Sequence, residues 1–285
     1  MRCLIVGAGG TGKSIARGLI KIKKISKIYI MNRTLESSKK AIKEINSSKT
    51  EIYVEGKSLP IDYVILTLCA VSFEERKKNA RRSKNTYEIR QKELKINLLA
   101  VKDKLPFFRK LPKKVKILVV TNPVDAIENY LKKKLPGRKI FGFGLQLDIN
   151  RYSKFLKKKI FGVGIHGKIV PSINLKKNKD YNVLYKKVDK SFLDLVRKKG
   201  LSYPIYAEEF RKYFQKLISD KKELIYTSAN FKKSFCGIRD VSIGLPFYIQ
   251  KGKILGIKEI KLNLVEQERL KKDAQVLKDS IKKYI

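Results

Sequence analysis

The fold is decided early in the chain, in Arg2-Cys3-Leu4-Ile5-Val6-Gly7-Ala8-Gly9-Gly10-Thr11-Gly12-Lys13-Ser14-Ile15-Ala16-Arg17-Gly18-Leu19-Ile20. The apolar run Arg2–Val6 predicts a short buried strand, and Thr11–Ile22 a helix with Ile15, Leu19 and Ile22 on one face. Between them Gly7-Ala8-Gly9-Gly10-Thr11-Gly12 fits G-x-G-x-x-G in the strand–turn–helix context that this pattern needs. Gly7 permits the tight turn, Gly9 lets the backbone approach a pyrophosphate, and Gly12 lets helix and strand pack closely. The helix start then offers free N–H groups to the phosphates. Gly7, Gly9, Gly10, Thr11 and Gly12 are therefore placed at a dinucleotide cofactor.

The alternation continues outward. Lys27–Met31 reads as a second strand and Leu35–Ile45 as a helix. Glu51–Val54 and Asp62–Leu68 are further strands, and Phe73–Asn85 is a long, basic, polar loop. Glu88–Leu105 is a helix, Val115–Thr121 the most apolar strand, Ile127–Lys134 a helix and Lys139–Phe143 a sixth strand. Strands alternating with helices predict an α/β fold, a Rossmann-type doubly wound parallel sheet over residues 1–143.

The pattern then changes. Asn150–Lys159 reads as a helix, Ile160–Ile165 and Lys168–Ile173 as a strand pair, Val183–Lys199 and Tyr206–Ser219 as helices. Glu223–Ala229, Asp240–Phe247 and Ile257–Lys261 follow as strands, with Val265–Ile285 a closing amphipathic helix. Residues 144–285 are expected to form a C-terminal α+β substrate domain.

The chain has 285 residues, 43% of them hydrophobic, enough apolar side chain to bury a core and exclude disorder. No stretch approaches ~18 uninterrupted apolar residues, which excludes a membrane span. The early apolar run breaks into glycines, so no signal peptide is expected. Three cysteines, at positions 3, 69 and 236, form neither a disulfide framework nor a metal-ligand spacing, so no metal and a cytoplasmic location are expected. The net charge is +41, from 53 Lys and 14 Arg against 26 Asp+Glu. The surplus is diffuse Lys with no basic arm, which predicts only non-specific attraction to nucleic acid.

The end of the second strand reports on the cofactor. Met31-Asn32-Arg33-Thr34 carries no acid to hold a ribose hydroxyl, and Arg33 can fork a phosphate. Asn32-Arg33-Thr34 resembles the NADP-reading turn of shikimate dehydrogenases, which implies NADP before NAD. Thr67 and Thr121 stand at the carboxyl ends of their strands, where ligands of open parallel sheets bind.

Only one histidine is present, His166, in Gly164-Ile165-His166-Gly167. Acid–base chemistry near neutral pH most often uses this side chain. Asp148 and Arg151, three apart at a helix start, can project to one side. Thr121-Asn122-Pro123-Val124-Asp125 follows the most apolar strand.

In this order, Thr-Asn-Pro-Val-Asp, Gly-Phe-Gly-Leu-Gln-Leu-Asp-Ile-Asn-Arg and Gly-Ile-His-Gly resemble the lactate/malate dehydrogenase family. Cys236-Gly237-Ile238-Arg239-Asp240-Val241-Ser242-Ile243-Gly244-Leu245-Pro246 is similar to its late strand motif, and Arg90 stands seven residues before Asn97 as in that family. The resemblance implies an oxidoreductase moving a hydride between NAD(P)H and a 2-oxo or 2-hydroxy acid. It implies that His166 exchanges the proton, Asp148 orients the imidazole, Arg151 grips the substrate carboxylate and Arg90, on a mobile loop, polarises the carbonyl. Asn122 would bond near substrate and nicotinamide, and Ser202 would line the substrate pocket. It also implies a homo-dimer or homo-tetramer.

This chain departs from the family pattern in places. Lys168 follows His166-Gly167, adding a cation near the imidazole if it faces inward. The loop before Arg90 is long and basic, and Arg81, Arg82 or Lys84 would meet the far end of the substrate. All three are cationic, which favours a dicarboxylate such as oxaloacetate or malate. The alternatives are a lactate-type enzyme and a catalytically reduced member that binds a dinucleotide or polyanion.

Overall fold

The computed structural model describes residues 1–56, 59–199, 203–229 and 234–284. The first half follows the expected alternation: β1 (Arg2–Val6), α1 (Gly10–Ile20), β2 (Lys27–Met31), α2 (Leu35–Ile45), β3 (Thr50–Ile52) and β4 (Tyr63–Leu66). Then come α3 (Phe73–Arg82), α4 (Thr86–Asp103), α5 (Leu105–Lys110), β5 (Lys116–Val119), α6 (Val124–Lys134) and β6 (Ile140–Gly142). These six strands are parallel, in the order β3-β2-β1-β4-β5-β6. Both faces are covered, which is why β1 reads as continuously apolar. Cys3 and Ile5 point into one core cluster with Ile15 and Leu19. Leu4 and Val6 point into the other with Leu98 and Ile127.

The second half is α7 (Leu145–Phe155), β7 (Gly162–Ile165), β8 (Lys168–Pro171), α8 (Asn178–Lys199), α9 (Tyr203–Leu217), β9 (Glu223–Ala229), β10 (Gly244–Gln250), β11 (Lys253–Ile257) and α10 (Leu264–Lys282). Its strands extend the same sheet. β9 pairs antiparallel with β6, and β10, β7 and β8 follow, so the sheet runs unbroken across residue 143. The second half also covers the first: a Cβ at Gly18 of α1 would lie 2.6 Å from the Ala207 carbonyl oxygen of α9. Among the described residues no helix is long and apolar enough to cross a membrane.

Several elements differ from the sequence reading. Residues 73–82 are helix, not loop. The Ser72 side chain caps the first turn by accepting from the Glu75 N–H at 3.1 Å. Glu74 and Glu75 open the helix and Arg81 and Arg82 close it, matching its dipole. α7 begins at Leu145, five residues early, which puts Asp148 in its first turn. The expected strands 240–247 and 257–261 are displaced to β10 and β11. The reason is a tight turn at Lys251-Gly252, both with positive φ, that folds the two into a hairpin.

Arg138 braces the connection from α5 to β5. Its guanidinium is buried and donates to four carbonyl oxygens, those of Phe108, Leu111, Pro112 and Val115, at 2.7–3.2 Å. Arg138→Met leaves these acceptors without donors. Urea unfolding is expected to show a loss of about 2–4 kcal/mol. A change below about 0.5 kcal/mol would mean that water replaces the guanidinium at no cost.

Candidate active site

The glycine turn is built as its motif requires. Gly7 has φ +96°, and a Cβ at Gly12 would lie 2.7 Å from the Gly7 carbonyl oxygen. Gly9 faces open space. The N–H groups of Gly10, Thr11 and Gly12 open α1 without intrahelical acceptors, and no acidic side chain stands in this turn. The Thr67 hydroxyl donates to the Gly7 carbonyl at 2.8 Å, bracing the turn from β4. Asn32 braces it from β2 by accepting from the Ala8 N–H at 2.6 Å. Thr34 caps α2, accepting from the Ser37 N–H at 3.2 Å. Arg33, between them, is exposed.

A cleft leads from this turn to the histidine. Thr11, Thr67, Thr121, Asn122 and His166 all line it. Asn97 holds its wall, accepting from Ala70 N–H and donating to the Asn122 carbonyl, both at 2.8 Å. The Asn122 side-chain oxygen is buried in this wall and has no hydrogen-bond partner in the structure. An orphaned acceptor at that place fits a bound amide or hydroxyl donor. The open face of Gly9, the free helix N–H groups and this acceptor together fit a dinucleotide that ends in a carboxamide.

His166 stands at the turn between β7 and β8 and is 6% exposed. Its Nδ1 lies 2.7 Å from Asp148 Oδ2, which also accepts the Gly167 N–H at 2.7 Å. Asp148 Oδ1 accepts from Arg151 Nη1 at 2.9 Å. Gly144 leaves room for the ring, since a Cβ there would lie 2.5 Å from His166 Cγ. Asp125 accepts the His166 backbone N–H at 2.7 Å.

Opposed charges set the proton affinities. Burial, and then the Arg90 guanidinium, pull His166 down to about 4, against the opposite pull of Asp148. For Asp148, burial alone would raise the carboxyl. The charge and hydrogen bond of His166, then Arg151 and Arg90, outweigh burial and hold it well below the usual carboxylate range. Burial lifts Asp125 to about 6.

Two candidate cations sit near this pair. Arg151 stacks on Phe192, 3.6 Å above the ring, with Nη2 3.5 Å from the Tyr206 hydroxyl, and Tyr206 lines the cleft. Arg90 is buried in α4, not on a mobile loop, and Nη1 donates to Thr86 Oγ1 at 3.2 Å. Its guanidinium packs on Gly167, where a Cβ would meet it at 2.1 Å.

Two further expectations are corrected. Lys168 faces away from the imidazole, toward Asp273 at 3.9 Å and the Tyr87 ring at 4.2 Å, because the β8 pleat turns it to α10 and α4. Arg81, Arg82 and Lys84 are exposed and stand outside the cleft. Once 73–82 coils into a helix, Arg76 becomes the side chain of this segment that reaches the cleft, and Glu93 holds its Nε at 2.9 Å. Ser202 lies outside the described residues. Arg76, Tyr206, Gly144 and Asp125 were missed as site residues. For Arg76 the Ser72-x-x-Glu75 cap was the available signal; for Tyr206 there was none.

Residues 1–67 match the family model for shikimate/quinate 5-dehydrogenase. Residues 150–285 match that for the lactate/malate dehydrogenase α/β C-terminal domain. An L-lactate dehydrogenase of Clostridium botulinum is 23% identical over 97% of this chain and 95% of its own length. One from Thermoanaerobacterium saccharolyticum is 26% identical over 66% of this chain and 70% of its own. Among solved structures, malate dehydrogenase from Archaeoglobus fulgidus in complex with NADH superposes with TM-score 0.76 at 20% identity, over 99% of both chains. L-lactate dehydrogenase from Clostridium thermocellum gives 0.73 at 20% identity over the same shares.

His166 is the one histidine in the sequence, so its imidazole resonance can be followed alone by NMR. The titration midpoint is expected well below the ordinary 6.5, near 4. Asp148→Asn removes the carboxylate that raises it and should move the midpoint lower still. A midpoint at or above 6.5 contradicts this balance of charges.

Proposed function

We propose that this chain belongs to the lactate/malate dehydrogenase family and exchanges a hydride between a nicotinamide dinucleotide and carbon 2 of a small 2-oxo or 2-hydroxy acid. The observation that carries the proposal is the buried His166–Asp148 pair, 2.7 Å apart, in a cleft that continues to the glycine turn. Residues 1–143 would hold the cofactor and 144–285 supply most of the substrate's partners. When bound, the nicotinamide supplies or takes the hydride. Asn122, through its orphaned oxygen, would orient the carboxamide or the substrate hydroxyl.

The remaining work is protonation and charge. Neutral His166 takes the proton from the C2 hydroxyl during oxidation and, once protonated, returns it to the C2 oxygen during reduction. Asp148 fixes Nδ1–H inward and leaves Nε2 to face substrate. An acid anion bound beside Arg151 and Arg90 offsets the positive field on the imidazole, so proton uptake accompanies its binding. Arg151, flat on Phe192, is set to take the substrate carboxylate as a planar fork. Arg90 supplies a fixed positive field beside Gly167 as charge develops on the substrate oxygen.

Arg76 suggests the finer substrate class. It brings a cation into the cleft from α3, where it could meet a second carboxylate, which favours oxaloacetate and malate over pyruvate and lactate. The exposed Arg33, with no acid at the end of β2, favours NADP over NAD. The match of residues 1–67 to the shikimate/quinate family model agrees with that turn.

NADPH and NADH oxidation should be followed with oxaloacetate, pyruvate and branched 2-oxo acids. Turnover with oxaloacetate is expected, reduced about 10²–10⁴-fold in His166→Asn. Arg76→Gln should raise the oxaloacetate KM roughly tenfold or more while leaving that of pyruvate unchanged. Turnover with none of these acids while cofactor still binds would leave the catalytically reduced reading. In a separate binding series, Arg33→Ala is expected to weaken NADPH about tenfold and NADH little. Equal losses would remove Arg33 from the 2′-phosphate.

A further inference from the structure

The basic segment before Arg90 is only partly used by the function proposed above. Arg76 turns inward, but Lys77, Lys78, Arg81 and Arg82 line a separate hollow of about 320 Å³ on the outer side of α3. Lys77 and Arg81, and Lys78 and Arg82, are four apart, so like charges stand one above the other along the helix, an arrangement that destabilises it. Glu74 lines the same hollow, so four cations and one acid face it. Lys78, Arg81 and Arg82 form no ion pair among the described residues. The apolar anchoring of α3 is slight. Among its described side chains only Ala80 is buried, in a small cluster with Ile89 and Leu193.

We propose that this hollow binds a polyphosphate anion, a chain of phosphoanhydride-linked phosphates, and that the bound anion holds α3 over the cleft. Two guanidinium forks and two ammonium groups within two helical turns suit several linked phosphates better than one. The hollow has the size of a small-ligand site, and none of its described lining residues is aromatic, so none of them stacks a nucleobase. The chain of phosphates is what would be read, whether it comes from a nucleoside triphosphate or from inorganic polyphosphate. Neutralising the stacked charges stabilises the helix, and the same helix presents Arg76 to the cleft, so the anion should lower the KM of the acid substrate. That last step rests on the dehydrogenase reading; the binding step does not.

The test uses the full chain at about 0.15 M salt, where diffuse attraction is screened. Binding of inorganic tripolyphosphate is measured by calorimetry, with amide exchange followed over residues 73–82. Arg81→Gln/Arg82→Gln is compared with Lys212→Gln/Lys216→Gln, exposed on the C-terminal part of α9. The expected result is a loss of affinity of about tenfold or more in the α3 variant, none in the control, and slowed exchange in α3 on binding. ATP without magnesium identifies the source: tighter binding than tripolyphosphate means the nucleotide, weaker binding the inorganic chain. Equal losses in both variants, equal affinity for orthophosphate, or tighter binding of single-stranded RNA at α3 each overturn the site. If the acids turn over, tripolyphosphate should lower KM several-fold in the parent and not in the α3 variant. An unchanged KM with binding intact overturns the coupling alone.

Discussion

The Asp148 carboxylate receives three donors at once, from the His166 ring, the Gly167 backbone and the Arg151 guanidinium. It is 3% exposed, so a charge at this position needs all three to replace the water it has lost. The consequences run outward. The first turn of α7 must abut the β7–β8 turn, and that turn brings His166 to the cleft shared with Thr121 and Asn122, which follow β5. Gly144 has to lack a side chain, because the imidazole occupies that space. Gly167 has to lack one because Arg90 does.

That arrangement also sets the electrostatics. His166 lies among two guanidinium groups and a carboxylate, inside a site from which water is largely excluded. Burial and Arg90 favour the neutral ring, and Asp148 favours the charged one. A second carboxylate, Asp125, holds the backbone beneath the ring without touching its nitrogens. The same helix then ties to the late strand through Asn129, which donates to the Asp125 and Ser242 carbonyls at 2.7 and 2.9 Å. The ring is thus held from α7, α6 and its own hairpin. The net charge of +41 contributes little to this balance, because the groups that act on His166 are a few buried neighbours at short range.

The parallel half of the fold was legible because its strands are apolar on both faces and its glycine turn has a single steric solution. The antiparallel half was legible in its elements but less so in their bounds. β10 and β11 were misplaced because a two-residue turn at Lys251-Gly252, and not hydrophobic alternation, sets their register. The basic segment 73–82 lacks an apolar face and so reads as loop. Its helix is specified by a cap, by charges placed along its dipole and by one buried alanine.

Gly7, Gly12, His166, Asp148, Asn122 and the two strand-end threonines are candidates on local chemistry and order along the chain, and the structure gathers them at the glycine turn, the cleft and the His166–Asp148 pair. Which cation reaches the cleft is a different kind of question. Arg76, Arg81 and Arg82 are alike in type and lie within seven residues of one another, and only the helical turn and the packing of α3 onto α4 and α8 direct the first inward and the other two outward. Likewise Lys168 stands two residues after His166 yet faces Asp273, because the turn at Gly167, with φ +91°, redirects the chain between them. Spacing in sequence specifies which groups are available; the direction each one points is a property of the packed structure.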